Sequence, residues 1–271
     1  MRSLLLHAHN DAGFEARFQV ALDLARAFSA HLTVLQPVAF NVALPGDAYG
    51  IFAAETAGLA RQQAEEFRRQ VEPRLIAEDV RWDWADEIGF AESSMLEYAA
   101  LADLAIIGSC APDGDRSGPS PLAGIMAVHC RAPVLVVPEG SSSPLPGAPV
   151  VVGWNGSLEA SRALKAALPL LQAASSVALV SVVEAEDEAE GLLPALAGAR
   201  YLDRHGVACE LVEVARGGNK VADLLGEVAL ARGAGLVVMG AYGKPRLIET
   251  VFGGVTARML RDPQLPLLLV H

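Results

Sequence analysis

One order of segments occurs twice along this chain of 271 residues. Ile107-Gly108 and Met239-Gly240 each close an apolar run and lie 132 residues apart. Pro133 and Pro266 each lead into a final apolar run, 133 residues apart. Asn10 and Asn155 follow the opening run of each half, 145 residues apart. A repeat of this kind constrains the fold more than composition does, because each copy must satisfy the same packing rules. Within each copy, short Val- and Leu-rich runs alternate with amphipathic segments. That alternation predicts parallel strands joined by right-handed helical crossovers. Runs such as APVLVVP (132–138) and LPLLLV (265–270) are apolar almost throughout, as strands buried on both faces must be.

Each half offers five strand candidates. In the first they are 3–8, 31–38, 80–86, 101–109 and 132–138, with helices expected at 12–28, 55–78 and 91–100 and a long irregular stretch between 39 and 54. In the second they are 148–154, 175–183, 206–214, 235–240 and 265–270. Helices are expected there at 157–171, 188–204, 219–231 and 253–261, with Ser157 and Asn219 as N-caps. The stretch EGSSSPLPGAP (139–149) is small, polar and proline-rich and reads as a linker without core residues. The expected organisation is a first domain over 1–140, a linker over 141–148 and a second domain over 149–271.

The formal net charge is −11. A protein built to grip a nucleic-acid backbone is normally basic, so no nucleic-acid partner is expected. The charge is uneven: residues 1–140 carry 10 Arg and 19 acidic residues, whereas 141–271 carry 11 basic and 13 acidic residues. An anionic ligand is therefore better received by the second half. Three cysteines without a CxxC suit a reducing compartment. No apolar stretch is long and clean enough for a membrane span or a signal-peptide core. A cytoplasmic protein with no membrane partner is expected.

The informative stretch is GLVVMGAYGKPRLIETVFGGVTARMLRD (235–262). Gly240 ends a buried strand, Gly243 follows, and Gly253 and Gly254 open a helix carrying Val255 and Thr256. Ligands of open parallel sheets sit at the carboxyl ends of strands. Glycines let backbone approach a ligand, and the N–H groups of a helix start favour an anion. Lys244, Arg246, Arg258 and Arg261 outnumber Glu249 and Asp262 here. All of this suits phosphate, although glycines also end strands for structural reasons alone.

The spacing G-x2-G-x9-G, between a strand ending VVMG and a closing strand led by proline, resembles the signature of the universal stress protein family. The resemblance extends over the whole chain as a tandem, two-domain member. It implies two five-stranded, mainly parallel sheets with helices on both faces, an adenine nucleotide α-hydrolase-like and Rossmann-like α/β fold. It implies that ATP or a related adenine nucleotide such as AMP binds in the second domain, with or without Mg2+. Met239, Gly240 and Gly243 would then line ribose and phosphates, Gly253, Gly254, Val255 and Thr256 would hold the phosphates, and Trp154 and Asn155 would face adenine and ribose. It also implies an intramolecular pseudo-dimer through the two closing strands, with a further homodimer open, and a regulatory or stress-resistance role.

Two departures bear on this. Asn155 stands where the family usually has Asp, losing the charge that helps hold a hydroxyl or a metal. Gly254 stands where the family often has Ser or Thr. The first half departs further: after Gly108, Ala111 replaces the second glycine, and Asp113 and Asp115 add negative charge. It reads as a degenerate copy that binds no nucleotide. The turn at Gly217, Gly218 and Asn219 reads as a cap or as a ribose contact. The acids from Glu184 to Glu190 read as a solvated run. His7, His9 and Asp11 read as polar strand-end residues rather than a metal site. Trp82 and Trp84 share a strand face and read as core or an inter-domain contact. No residue is read as catalytic: there is no GxSxG elbow and no nucleophile–base pair. The alternatives are a slow ATPase, or a nucleotide-free interaction module using 39–54 as a docking loop or lid. An adenylating enzyme of the related ATP-pyrophosphatase type would want an SGGxDS-like loop where WNGSLEAS stands.

Overall fold

A computed structural model describes residues 1–38, 49–110, 120–142, 145–183, 194–242 and 254–271, with side chains omitted at 49–56 and 194–195. The first half runs β1 (Ser3–His7), α1 (Phe14–Phe28), β2 (His31–Val38), α2 (Tyr49–Ala77), β3 (Arg81–Ile88), α3 (Ala91–Tyr98), a 3-10 turn (Ala99–Leu101), β4 (Leu104–Gly108), α4 (Pro121–His129) and β5 (Val134–Val137). The second runs β6 (Val150–Gly153), α5 (Leu158–Ala166), α6 (Leu168–Gln172), β7 (Val177–Val183), α7 (Pro194–Arg204), β8 (Glu210–Ala215), α8 (Val221–Ala231), β9 (Leu236–Gly240), α9 (Gly254–Arg261) and β10 (Leu267–Val270).

All ten strands form one sheet in the order β3-β2-β1-β4-β5-β10-β9-β6-β7-β8. Each half contributes five strands, parallel throughout and in the same internal order. The register repeats as well: Leu4 pairs with Leu104 in one half, Val150 with Leu236 in the other. The two closing strands pair antiparallel, with Leu268 opposite Leu135. That pairing leaves neither apolar closing strand as an open edge. The outer edges are β3 and β8, whose residues alternate between exposed and half-buried.

Strand alternation sends side chains to two layers. One face is covered by α1, α2, α5, α6 and α7, through residues such as Phe18, Val71, Leu164, Leu171 and Leu202. The opposite face is covered by α3, α4, α8 and α9, through Met95, Met126, Leu225 and Leu260. Burial of apolar surface on both faces drives the assembly, at about 25 cal/mol per Å2. Strands β1, β4, β5, β6, β9 and β10 are buried along nearly all their length, as their unbroken apolar runs require.

Several local expectations are corrected. Helix α2 begins at Tyr49, inside the stretch read as irregular, and residues 39–48 of that stretch lie outside the described residues. Pro169 splits the helix expected over 157–171 into α5 and α6, because its ring sits at a first-turn position where no N–H is needed. Leu145 of the linker is 1% exposed and belongs to the core, so the connection is anchored. The N-cap of α8 is Lys220, with no side-chain cap. Asn219 instead donates its backbone N–H to Arg216 O (2.9 Å), closing a turn made by Gly217 and Gly218.

Candidate functional site

The predicted site residues that the structure describes lie at the carboxyl ends of β6 and β9 and at the start of α9. Trp154 continues the β6 ladder, donating its N–H to Val180 O (2.8 Å). Its indole does not stand over the strand ends. It is 7% exposed and packs on the α7 side, where a Cβ placed on Gly198 would lie 3.0 Å from Trp154 Cε2. Asn155 and Ser157 build the entry to α5. Asn155 Oδ1 accepts the Ser157 N–H (3.1 Å) and Ser157 Oγ accepts the Ala160 N–H (3.1 Å), as an N-cap does. A carbonyl oxygen suffices for this turn, so Asn serves here without a charge.

Gly240 has a packing reason to be glycine. A Cβ there would lie 2.6 Å from the Glu159 carbonyl carbon and 2.7 Å from Ala160 N. The start of α5 thus rests directly on the last residue of β9. Close approach was the expected role of this glycine, but the group that approaches is a helix backbone. Met239 is 6% exposed and its side chain belongs to the core under α8 and α9, so only its backbone borders the strand end.

Beyond Gly240 the chain is tied in three ways. Ala241 donates its N–H to Val270 O (2.8 Å), and its carbonyl lies 3.1 Å from His271 Nδ1, which therefore carries the proton. Tyr242 has a φ of 56°, in the left-handed region rarely adopted without glycine. Its N–H donates to Thr256 Oγ1 (3.4 Å), and Thr256 is 3% exposed. This hydrogen bond brings the glycine turn onto the start of α9. Gly254 opens α9 and is exposed, with nothing among the described residues within 4 Å of a Cβ, and Val255 packs on the core of that face. Gly243 and Gly253 lie outside the described residues, as do Lys244 and Arg246.

The basic residues contribute less than their number suggests. Arg258 is bound by Asp223 of α8, with Nη2 2.9 Å from Oδ2. Arg261 lies at the far end of α9, lining with Ser109 and Cys110 a cleft between the halves. Among the described residues, attraction for an anion at this strand end comes from the α9 N–H groups.

The first half is built differently at the corresponding place. Arg17, 1% exposed, sends its guanidinium beneath the end of β1. Nε donates to His7 O (2.8 Å), Nη2 to His9 O (2.9 Å), and the two Nη groups grip both Asp11 carboxylate oxygens at 2.6 and 2.7 Å. A Cβ on Gly108 would lie 3.2 Å from Arg17 Nη1, so an arginine head fills the space that α5 occupies beside Gly240. Burial alone would raise the Asp11 carboxyl, but contacts from His9 and Arg17 outweigh it and hold it well below the usual carboxylate range. His7 is pushed down to about 3, by burial first and by the Arg17 charge second, so it is neutral. Its Nε2 has no hydrogen-bond partner. Ala111, Asp113 and Asp115 lie outside the described residues. Among the described residues, no group of three or more His, Cys, Asp and Glu is placed to hold a metal, and no helix is long and apolar enough to cross a membrane.

Sequence reasoning missed Arg17, Tyr242 and His271. Arg17 carried a signal: an arginine between Phe14 and Phe18 on an apolar helix face needs an internal partner. Tyr242 carried none, since its backbone angle is set by the turn. Trp82 and Trp84 lie on the outer strand β3, and Trp84 meets Phe67 edge-on at 6.3 Å. Both are half-buried and pack against the core, far in strand order from the seam between the halves.

The family model described as the universal stress protein family matches residues 148–271. Over those residues the chain is similar to the universal stress protein family. The fold likeness extends over both halves. A universal stress protein from Archaeoglobus fulgidus DSM 4304 has a TM-score of 0.74 at 13% identity, over 99% of this chain and 96% of that one. A putative universal stress protein from Pseudomonas aeruginosa UCBPP-PA14 has a TM-score of 0.63 at 16% identity, over 100% and 93%. A shorter universal stress protein in complex with cAMP matches 46% of this chain and 98% of its own length, at 23% identity and a TM-score of 0.37. No curated protein matches the chain.

Proposed function

We propose that this chain is a universal stress protein that binds one adenine nucleotide, ATP or AMP, at the strand ends of its second half, and acts in stress resistance or regulation rather than in rapid turnover. The observation that carries the reading is the junction of β9 and α9. Tyr242, held at positive φ, is hydrogen-bonded to Thr256, and beside it the start of α9 at Gly254 is open. A turn that delivers backbone to an uncovered helix start is a cradle for phosphate. The fit is good for the phosphates: Gly254, Val255 and Thr256 would present N–H groups, and Gly243 and Gly253 would bring no side chain against them. It is weaker for Trp154, whose ring is engaged with α7, and for Met239, whose side chain is core. Asn155 would offer its amide to a ribose, with its carbonyl already used by Ser157.

The first half would serve as the other arm of an intramolecular pseudo-dimer, without nucleotide. Its strand end is closed on itself by Arg17 and Asp11, which leave neither cation nor carboxylate available. The domains would divide at 140 and 149, and the protein would act in the cytoplasm.

Photolabelling with 8-azido-ATP and peptide mapping tests the assignment. Label should fall in residues 150–160 and 235–262. Label confined to residues 1–17 and 101–131 would place the nucleotide in the wrong half and overturn it.

A further inference from the structure

The groove between α1 and α2 differs from its counterpart between α5 and α7 in the second half. In the first half it is filled. Phe14 stacks on Phe18 at 5.3 Å and meets Phe67 edge-on at 4.8 Å, and Trp84 extends the cluster. Arg74 closes it from outside, stacking 4.7 Å from the Phe18 ring and gripping Glu15 at 2.7 and 2.9 Å. In the second half the groove between α5 and α7 holds a cavity of about 410 Å3. Trp154, Leu164, Ala197 and Tyr201 give it aromatic and apolar walls, and Ser161 and Lys165 give it a polar rim.

Two features point to what it takes. Volume falls in the range of small-molecule sites, roughly 300–1,000 Å3. Lys165 has no ion-pair partner among the described residues, and Ser161 Oγ donates to Ser157 O (2.8 Å), leaving its oxygen to accept.

We propose that the α5–α7 cavity is a second small-molecule site, for a planar aromatic ligand carrying one carboxylate. Its ring stacks against Trp154 and Tyr201, its carboxylate meets Lys165, and it is separate from the nucleotide at the strand ends. Flat aromatic faces favour a ring over an aliphatic chain, and an unpaired ammonium favours an anion over a neutral polar group.

Calorimetric titration of the full chain with 1-naphthoate, and with the neutral 1-naphthamide, tests this. One naphthoate per chain is expected, at least 5-fold tighter than the amide. Lys165→Gln, on an exposed helix position, should abolish that preference while leaving amide binding unchanged. Ala197→Trp, also at an exposed position, should fill the cavity and remove both; a thermal melt checks that each variant folds. ATP should not displace naphthoate, and naphthoate should bind whether or not ATP does. Absence of binding to folded protein, equal affinity for acid and amide, or displacement by ATP would each overturn the proposal, the last by making the cavity part of the nucleotide site.

Discussion

Two glycines of the 235–262 stretch, Gly240 and Gly254, should respond oppositely to the same change. At Gly240 an added methyl meets the Glu159 carbonyl carbon at 2.6 Å, Ala160 N at 2.7 Å and Glu159 Cβ at 2.7 Å. Ordinary carbon contacts lie near 3.5–4.0 Å, so each is about 1 Å too close. Two of the three atoms are helix backbone and cannot swing aside as a side-chain tip would. The start of α5 must lift from β9, and it is anchored there by the Ser157 cap. Overpacking of this kind costs about 1–3 kcal/mol, and a backbone obstacle places Gly240→Ala at about 3 kcal/mol. Gly254→Ala meets nothing among the described residues within 4 Å and lies in the first turn of a helix, so it should be neutral or stabilising by up to about 1 kcal/mol. Urea unfolding of both variants and the parent, with midpoints compared at equal slope, reads the difference. Gly240→Ala within about 0.5 kcal/mol of the parent would refute the reasoning, since α5 would then not rest on β9.

Further expectations follow from the strand ends. His7 is neutral in the folded chain down to about 3, whereas an unfolded histidine titrates near 6.5. The unfolded chain therefore takes up the proton first, and stability should fall by up to about 1.4 kcal/mol per pH unit as pH drops from 6.5 toward 3. His7→Phe should flatten that slope in urea melts between pH 6.5 and 4; an unchanged slope would contradict the buried neutral state. Arg17→Met removes the guanidinium that binds Asp11 and two carbonyls. It should cost about 3 kcal/mol, at the low end for a buried pair because Asp11 is 18% exposed. Arg17→Met combined with Asp11→Asn should cost less than the sum of the single changes in a double-mutant cycle. Ser157→Ala deletes a side-chain cap and should lower stability by about 1 kcal/mol by the same assay.

Much of the fold was legible because its strands are buried on both faces. The runs SLLLH, LAIIG, VLVV and LLLV have no polar face to hide, so their extent in sequence is close to their extent in the sheet. The repeat then fixed which strands correspond. Boundaries were less legible where local chemistry competes. Asn219 looked like a cap, but positive φ at Gly217 and Gly218 turns the chain so that Asn219 belongs to the turn and Lys220 to the cap position. Leu145 was hidden among linker-like neighbours, since one apolar residue has no periodicity. At the candidate site, residue types were legible but their directions were not. Trp154 looked available to a base, and only the close packing against Gly198 shows its ring engaged with α7. Arg258 counted as a free cation in sequence, and Asp223, 35 residues away, binds it. Tertiary partners at such distances leave no local trace.

The central claim is a single nucleotide site whose phosphates meet the open start of α9. Calorimetric titration with ATP and AMP, with and without Mg2+, tests it directly when the parent is compared with Gly254→Glu and Gly243→Val. A carboxylate at position 254 has open space and suits the helix dipole, so that variant should fold normally while repelling phosphate. One site per chain in the parent, lost in both variants, is the predicted result. No saturable heat in a folded parent, or undiminished binding in Gly254→Glu, would contradict the claim and leave the nucleotide-free interaction module as the better account.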